Sequence, residues 1–135
     1  MVRVMATGVF DLLHPGQIYY LEQAKKLGDE LVVVVARDST ARKLKREPVN
    51  DEQTRLRLVS ALKPVDKAVL GHEGDVYQTV KELRPDLIAL GWDQRWSEAE
   101  LERELRSRGL GARIVKLKKY PGLSTRRLIE RIKQT

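Results

Sequence analysis

Cysteine is absent from this chain of 135 residues, which excludes a disulfide framework and a thiolate metal site alike. Histidine occurs only as His14 and His72, too few for a histidine-built metal centre. No apolar run approaches the length of a membrane span. The N-terminus passes straight into a strand pattern, without the basic, apolar and small-residue segments of a secretory leader. These absences lead to the expectation of a soluble, cytoplasmic protein with no membrane partner. The length suits one domain, residues 1–135, around a single core.

Charge is plentiful but unbalanced. The formal net charge is +7 and the isoelectric point about 9.8, which favours an anionic partner without naming it. Along Glu98–Arg108 acids and bases interleave, the pattern of a solvated helix face with i,i+4 pairs rather than of a basic stripe. No nucleic acid is therefore expected among the partners.

Strand-length apolar runs alternate with helical patterns. Strands are expected over Val2–Thr7, Glu30–Ala36, Lys67–Leu70, Leu87–Leu90 and Arg113–Leu117. Runs apolar on both faces are what a parallel sheet covered on both sides requires. Helices are expected over Gln17–Leu27, Asp51–Leu62, Val76–Leu83, Glu98–Ser107 and Thr125–Lys133. Asn50 with Gln53, Asp75 with Gln78 and Ser97 with Glu100 read as capping pairs at helix starts. Gly28, Pro64, Pro85 and Gly109 mark stops. The alternation predicts an α/β, Rossmann-like three-layer sandwich whose five-stranded parallel sheet is doubly wound. The longest loop is expected over Arg37–Pro48.

The densest constellation is Ala6-Thr7-Gly8-Val9-Phe10-Asp11-Leu12-Leu13-His14-Pro15-Gly16-Gln17. It reads as strand, tight turn and helix N-terminus, the place where open α/β sheets bind phosphates. Gly8 is expected to let the chain leave the strand sharply, and Gly16 to let an anion approach the first helical turn. His14 can aim a ring nitrogen at a phosphate oxygen, while Phe10 packs beneath the turn and Asp11 orients it. The turn lacks G-x-G-x-x-G and no G-x-x-x-x-G-K-[ST] occurs, against a nicotinamide dehydrogenase and a P-loop kinase.

Three further groups accompany it. Arg37, Arg42, Lys43, Lys45 and Arg46 follow the second strand, on the side where such sheets present ligands, and several cations suit a triphosphate. Leu90-Gly91-Trp92-Asp93-Gln94 sets a glycine, an aromatic ring and a carboxylate after the fourth strand, a seat for a base and ribose. Trp96 reads as packing. Ser124 and Thr125 open the last helix, where hydroxyls and free N–H groups suit a phosphate, or where one of them simply caps the helix. His72 is a loop residue with no assigned task.

Together these motifs resemble the nucleotidyltransferase superfamily with the H-x-G-H signature. Its small members, the glycerol-3-phosphate cytidylyltransferases among them, share the glycine-rich turn, the basic loop, G-x-D after the fourth strand and S-T at the last helix. The likeness covers nearly the whole chain and is greatest to the archaeal-type FAD synthases. It rests there on Ala36-Arg37-Asp38-Ser39, on Ala61-Leu62-Lys63-Pro64-Val65-Asp66-Lys67-Ala68-Val69-Leu70-Gly71, and on Gly91-Trp92-Asp93-Gln94, which is similar to that family's G-Y-D-Q.

The resemblance implies transfer of the AMP part of ATP to FMN, with attack on the α-phosphorus, departure of pyrophosphate and no covalent enzyme intermediate. It implies His14, Gln17, Lys43 and Arg55 as catalytic residues, with Lys45 as a further cation. Thr7, Gly8, Val9, Phe10, His14, Gln17, Gly91, Trp92, Asp93, Ser124 and Thr125 would bind the nucleotide. No protein-held metal is implied; Mg²⁺ would bridge triphosphate oxygens, and the assembly would be a homodimer. Gln17 stands where the superfamily has its second histidine. Two other readings accompany this one: a cytidylyltransferase for glycerol 3-phosphate or a similar small phosphate, and a non-catalytic nucleotide-binding protein, which Gln17 alone opens.

Overall fold

Side chains that alternate along a strand sort themselves onto two faces, and here both faces are covered. A computed structural model describes residues 1–44, 47–92, 94, 97–118 and 132–133. Its elements are β1 (Arg3–Gly8), α1 (Pro15–Lys25), β2 (Glu30–Val35), α2 (Asp38–Leu44), α3 (Glu52–Ser60), β3 (Lys67–Leu70), α4 (Val76–Leu83), β4 (Leu87–Leu90), α5 (Glu98–Ser107) and β5 (Arg113–Lys116). Val4, Ala6, Leu31, Val33, Val35 and Ala89 face Leu21 and Ala24 of α1 and Val59 of α3. Met5, Val34, Ile88 and Leu90 face the other way, against Val80 of α4 and Leu101 and Leu105 of α5. The result is the expected three-layer sandwich.

The strands pair in parallel in the order β3-β2-β1-β4-β5. From β1 the chain moves outward to β3, then returns across the sheet to β4. The topological switch point therefore lies between β1 and β4, where doubly wound sheets open a crevice at their C-terminal ends.

Three local expectations are corrected. Arg37–Pro48 is not one loop, because Asp38–Leu44 forms α2, with Asp38 in its first turn, Arg42 and Lys43 in its last, and Ala41 buried beneath it. That charge order complements the helix dipole. Asn50 does not cap α3; Asp51 does, accepting from the Thr54 N–H at 2.8 Å, while the Asn50 amide turns to the Asp11 carbonyl. α1 begins at Pro15 rather than Gln17, because His14 caps it. Asp75 and Ser97 cap α4 and α5 as expected. Of the helix expected over Thr125–Lys133, only 132–133 lie within the described residues.

Candidate nucleotide site

β1 ends at Gly8, and the sharp departure that follows is made at Phe10, whose φ of 55° is left-handed. The expected role of Gly8 is thereby corrected. Its lack of a side chain matters because the buried Phe10 ring folds back against it: a Cβ there would sit 2.7 Å from Phe10 Cζ. With its ring inside, Phe10 can offer a ligand only its backbone. Asp11, also buried, accepts from the N–H groups of Val49 (2.9 Å) and Asn50 (2.8 Å), while Asn50 Nδ2 donates to the Asp11 carbonyl at 2.9 Å. The turn is thus bound to the segment that leads into α3.

His14 is the N-cap of α1, its Nδ1 accepting from the Gly16 N–H at 3.1 Å. A ring that accepts at Nδ1 carries its proton on Nε2 when neutral, so Nε2 is a donor. The Gln17 N–H donates to the His14 carbonyl at 3.0 Å, which puts Gln17 in the first turn beside it. The fold therefore gathers His14 and Gln17 at a helix N-terminus, where the macrodipole favours an anion.

Arg55 is placed otherwise than expected. Its side chain is wholly buried. Nε donates to the Asn50 carbonyl (3.0 Å), Nη1 to the carbonyls of Val9 (2.9 Å) and Ala36 (2.7 Å), and Nη2 to Asp38 Oδ1 (2.7 Å). A guanidinium committed to these acceptors ties the ends of β1 and β2 to α2 and α3 instead of reaching a triphosphate. Only a planar fork of donors satisfies so many acceptors at once.

The basic segment divides likewise. Arg37 turns inward, donating to the Gly71 carbonyl (2.8 Å) and to Glu52 (3.0 Å), whose other oxygen accepts the Asp38 N–H at 3.0 Å. Arg42 pairs with Glu47 in an exposed contact of 3.3 Å. Lys43 is exposed on α2, whereas Lys45 and Arg46 lie outside the described residues. His72 pairs with Glu82 at 2.9 Å, both exposed; that hydrogen bond is the chief reason the Glu82 carboxyl titrates below its ordinary value.

The switch point itself is held by side chains. β1 stays paired with β2 as far as Gly8 and Val35, and β4 with β5 as far as Leu90 and Lys116. Between β1 and β4 the ladder stops earlier, at Ala6 and Ala89. Beyond it, Tyr20 Oη from α1 donates to the Ala89 carbonyl (2.6 Å) and accepts from the Thr7 N–H (3.2 Å). Gln94 Nε2 donates to the carbonyl (2.9 Å) and Oγ1 (3.0 Å) of Thr7, and its Oε1 accepts from the Gly91 N–H at 2.9 Å. Sequence reasoning missed both bridges. Nothing marks Tyr20 in the sequence, although Gln94 stood within the motif read for its neighbours. Gly91 is buried, and the Trp92 indole beside it is 48% exposed. Asp93, Ser124 and Thr125 lie outside the described residues. A groove of about 970 Å³ lined by Val2, Asp86, Leu87 and Arg113 is at the opposite, N-terminal end of the strands. The switch point, not that groove, is where a parallel sheet brings its chemistry together.

A doubly wound sheet with a histidine-capped helix and an exposed indole flanking its switch point has the layout of an α/β domain that receives phosphorylated ligands. The cytidylyltransferase-like family model matches residues 5–131. An FAD synthase from Thermoplasma acidophilum is 62% identical over 122 residues, 90% of this chain and 86% of that one. Another from Aciduliprofundum boonei is 60% identical over 120 residues, 89% of this chain and 80% of its own. The crystal structure of the lipopolysaccharide core biosynthesis protein from Thermoplasma volcanium GSS1 matches with a TM-score of 0.88 at 59% identity, covering 89% of this chain and 98% of that one. The chain belongs to the cytidylyltransferase-like family of nucleotidyltransferases, on the branch of the archaeal FAD synthases.

Proposed function

We infer that this enzyme is an FAD synthase, transferring the AMP part of ATP to FMN with release of pyrophosphate. The observation that carries the reading is identity of 60% and 62%, across about nine-tenths of the chain, to archaeal FAD synthases. An FMN phosphate oxygen attacks the α-phosphorus. As that P–O bond forms, the bond to the α,β-bridging oxygen breaks and pyrophosphate leaves with the electron pair. The protein's task is positioning and charge stabilisation.

In this reading the triphosphate lies at the α1 N-terminus against the backbone of Thr7, Gly8, Val9 and Phe10. His14 donates from Nε2, Gln17 from its side-chain amide, and Lys43 reaches in from α2. Arg55 acts from beneath, holding the turn rather than the phosphates. Gly91, Trp92 and Asp93 receive base and ribose, with the exposed indole as a stacking face. Ser124 and Thr125 take phosphate oxygens.

Among the described residues no cluster of three or more His, Asp or Glu side chains is arranged to hold a metal ion, and Asp11 is engaged by backbone N–H groups. These residues do not fit a protein-held metal centre. In this reading Mg²⁺ would arrive with the nucleotide and would neutralise charge on its phosphates. The reading also takes the enzyme to be a cytoplasmic homodimer, which sedimentation of the purified protein checks for oligomeric state.

Incubation with ATP, FMN and Mg²⁺, followed by chromatography, should yield FAD and pyrophosphate, with CTP a poor donor. Transfer of CMP to glycerol phosphate with no FAD formed would instead assign a cytidylyltransferase. ATP binding without turnover of either pair would leave the non-catalytic reading that Gln17 raises.

A further inference from the structure

We propose that Gln94 is a positioning residue that keeps the phosphate seat and the base-and-ribose seat of the crevice in register. The β1–β4 ladder ends at Ala6 and Ala89, yet the backbone beyond it still carries polar groups that need partners. The Gln94 amide takes the place of the next rung. Its Nε2 donates to Thr7 and its Oε1 accepts from Gly91, an orientation dictated by the partners, since the Thr7 carbonyl only accepts and the Gly91 N–H only donates. A backbone rung would close the strands together. A side chain inserted between them satisfies the same groups while leaving the crevice open.

The residues joined are the informative part. Thr7 immediately precedes Gly8 and the turn that leads to His14, and Gly91 immediately precedes Trp92. One neutral amide thus links the first residue of each proposed seat, and links them directly rather than through the core. Tyr20 makes a comparable bridge at the Thr7 N–H and Ala89 carbonyl, from the helix that also carries His14 and Gln17. Gln94 differs in lying on the loop itself, so its amide ties the start of that loop to β1. A glutamate in its place would keep an acceptor for Gly91 but would face the Thr7 carbonyl with a second acceptor.

This inference rests on the reading of ATP as donor. A ligand that spans both seats gains from their spacing, whereas a fragment that occupies one does not. Calorimetry would compare ATP, AMP and inorganic tripolyphosphate, at one Mg²⁺ concentration, on the native protein and on Gln94→Met and Gln94→Glu. The expected result is ATP weakened about tenfold in both variants, with AMP and tripolyphosphate each changed less than about twofold. A melting temperature within a few degrees of native is expected alongside it. Parallel weakening of all three ligands with a large drop in melting temperature would reduce Gln94 to structural support and overturn the proposal. Weakening of AMP as severe as that of ATP would make it a ligand contact, and would overturn it too. Should Gln94→Met not fold, Gln94→Glu carries the test. Failure of ATP to bind the native protein would sink the donor reading instead, a result visible before any variant is made.

Discussion

The two walls of the crevice are built from different materials. Behind β1 and β2 the loops are bound by charge: Arg55, wholly buried, joins Val9, Ala36, Asn50 and Asp38, and Asp11 fastens the turn to the segment before α3. At the end of β4 the loop is fastened to β1 by a neutral amide, beside an indole that is 48% exposed. A buried guanidinium that makes four hydrogen bonds has little freedom, because any displacement strands several acceptors together. A single amide bonded to Thr7 of β1 and to Gly91 just past β4 is a weaker hold. A phosphate seat requires the first kind of wall, since donors must be aimed before charge develops. A seat for a base tolerates the second, because stacking is forgiving of small shifts.

The largest expected effect breaks the charged wall. Arg55→Ala leaves the Asp38 carboxylate and three backbone carbonyls without the fork, and removing one partner of a buried pair costs about 3–5 kcal/mol. Chemical denaturation should show that loss; a variant as stable as the native protein would dissolve the contrast between the walls. The next prediction concerns the helix start between them. His14→Asn supplies another capping acceptor but removes the Nε2 donor. Its kcat should fall on the order of 10²–10³, with ATP affinity and melting temperature near native. An unchanged kcat would return His14 to the role of a cap.

Gln17→His sharpens the comparison from the other direction. Charge-assisted hydrogen bonds are roughly twice as strong as neutral ones, so placing a histidine beside His14 should be worth about 1–2 kcal/mol in the transition state. That is about a tenfold to thirtyfold rise in kcat without a comparable change in the KM for ATP. No rise in stopped-flow turnover would show that Gln17 is not a weakened donor within this seat.

The smallest effect lies outside both walls. Asp51 titrates below the ordinary carboxylate value chiefly because Thr54 N–H bonds to it, and Asp66 because Lys25 and then the Leu31 N–H do. Glu82 is held low first by His72. Carboxyls with lowered folded-state values stabilise the protein fully above their unfolded values and lose that contribution as pH falls through the folded ones. Stability should therefore decline below about pH 4, with the decline shallower in Asp66→Asn. Thermal melts across that range would check it, and a loss centred near neutral pH would contradict it.

Much of the fold was legible because it is written in short periods. The apolar runs of β3 and β4 and the helices α4 and α5 stand at the ends expected for them, since Asp75 and Ser97 cap their helices with groups two or three residues away. α2 was hidden because it is short and basic, with only Ala41 buried, so docking rather than pattern decides it. Asn50 and Asp51 are adjacent residues equally able to cap α3. Which one does so depends on Asp11, far away in the chain, having claimed Asn50. Arg55 left one clue in the sequence: it stands four residues before Val59, on the helix face that packs against the sheet. Read as a cation alone, it looked like a phosphate ligand.

Periodicity and the order of the elements thus determined the doubly wound sheet, because local spacing encodes which face each residue buries, and the motifs carried the resemblance to the family. The tertiary structure alone decided what the polar residues with distant partners do. Arg55 meets a carbonyl 46 positions away and Gln94 one that is 87 positions away. A donor's role is set by whichever acceptor folding brings within about 3 Å, and spacing along the chain does not carry that information.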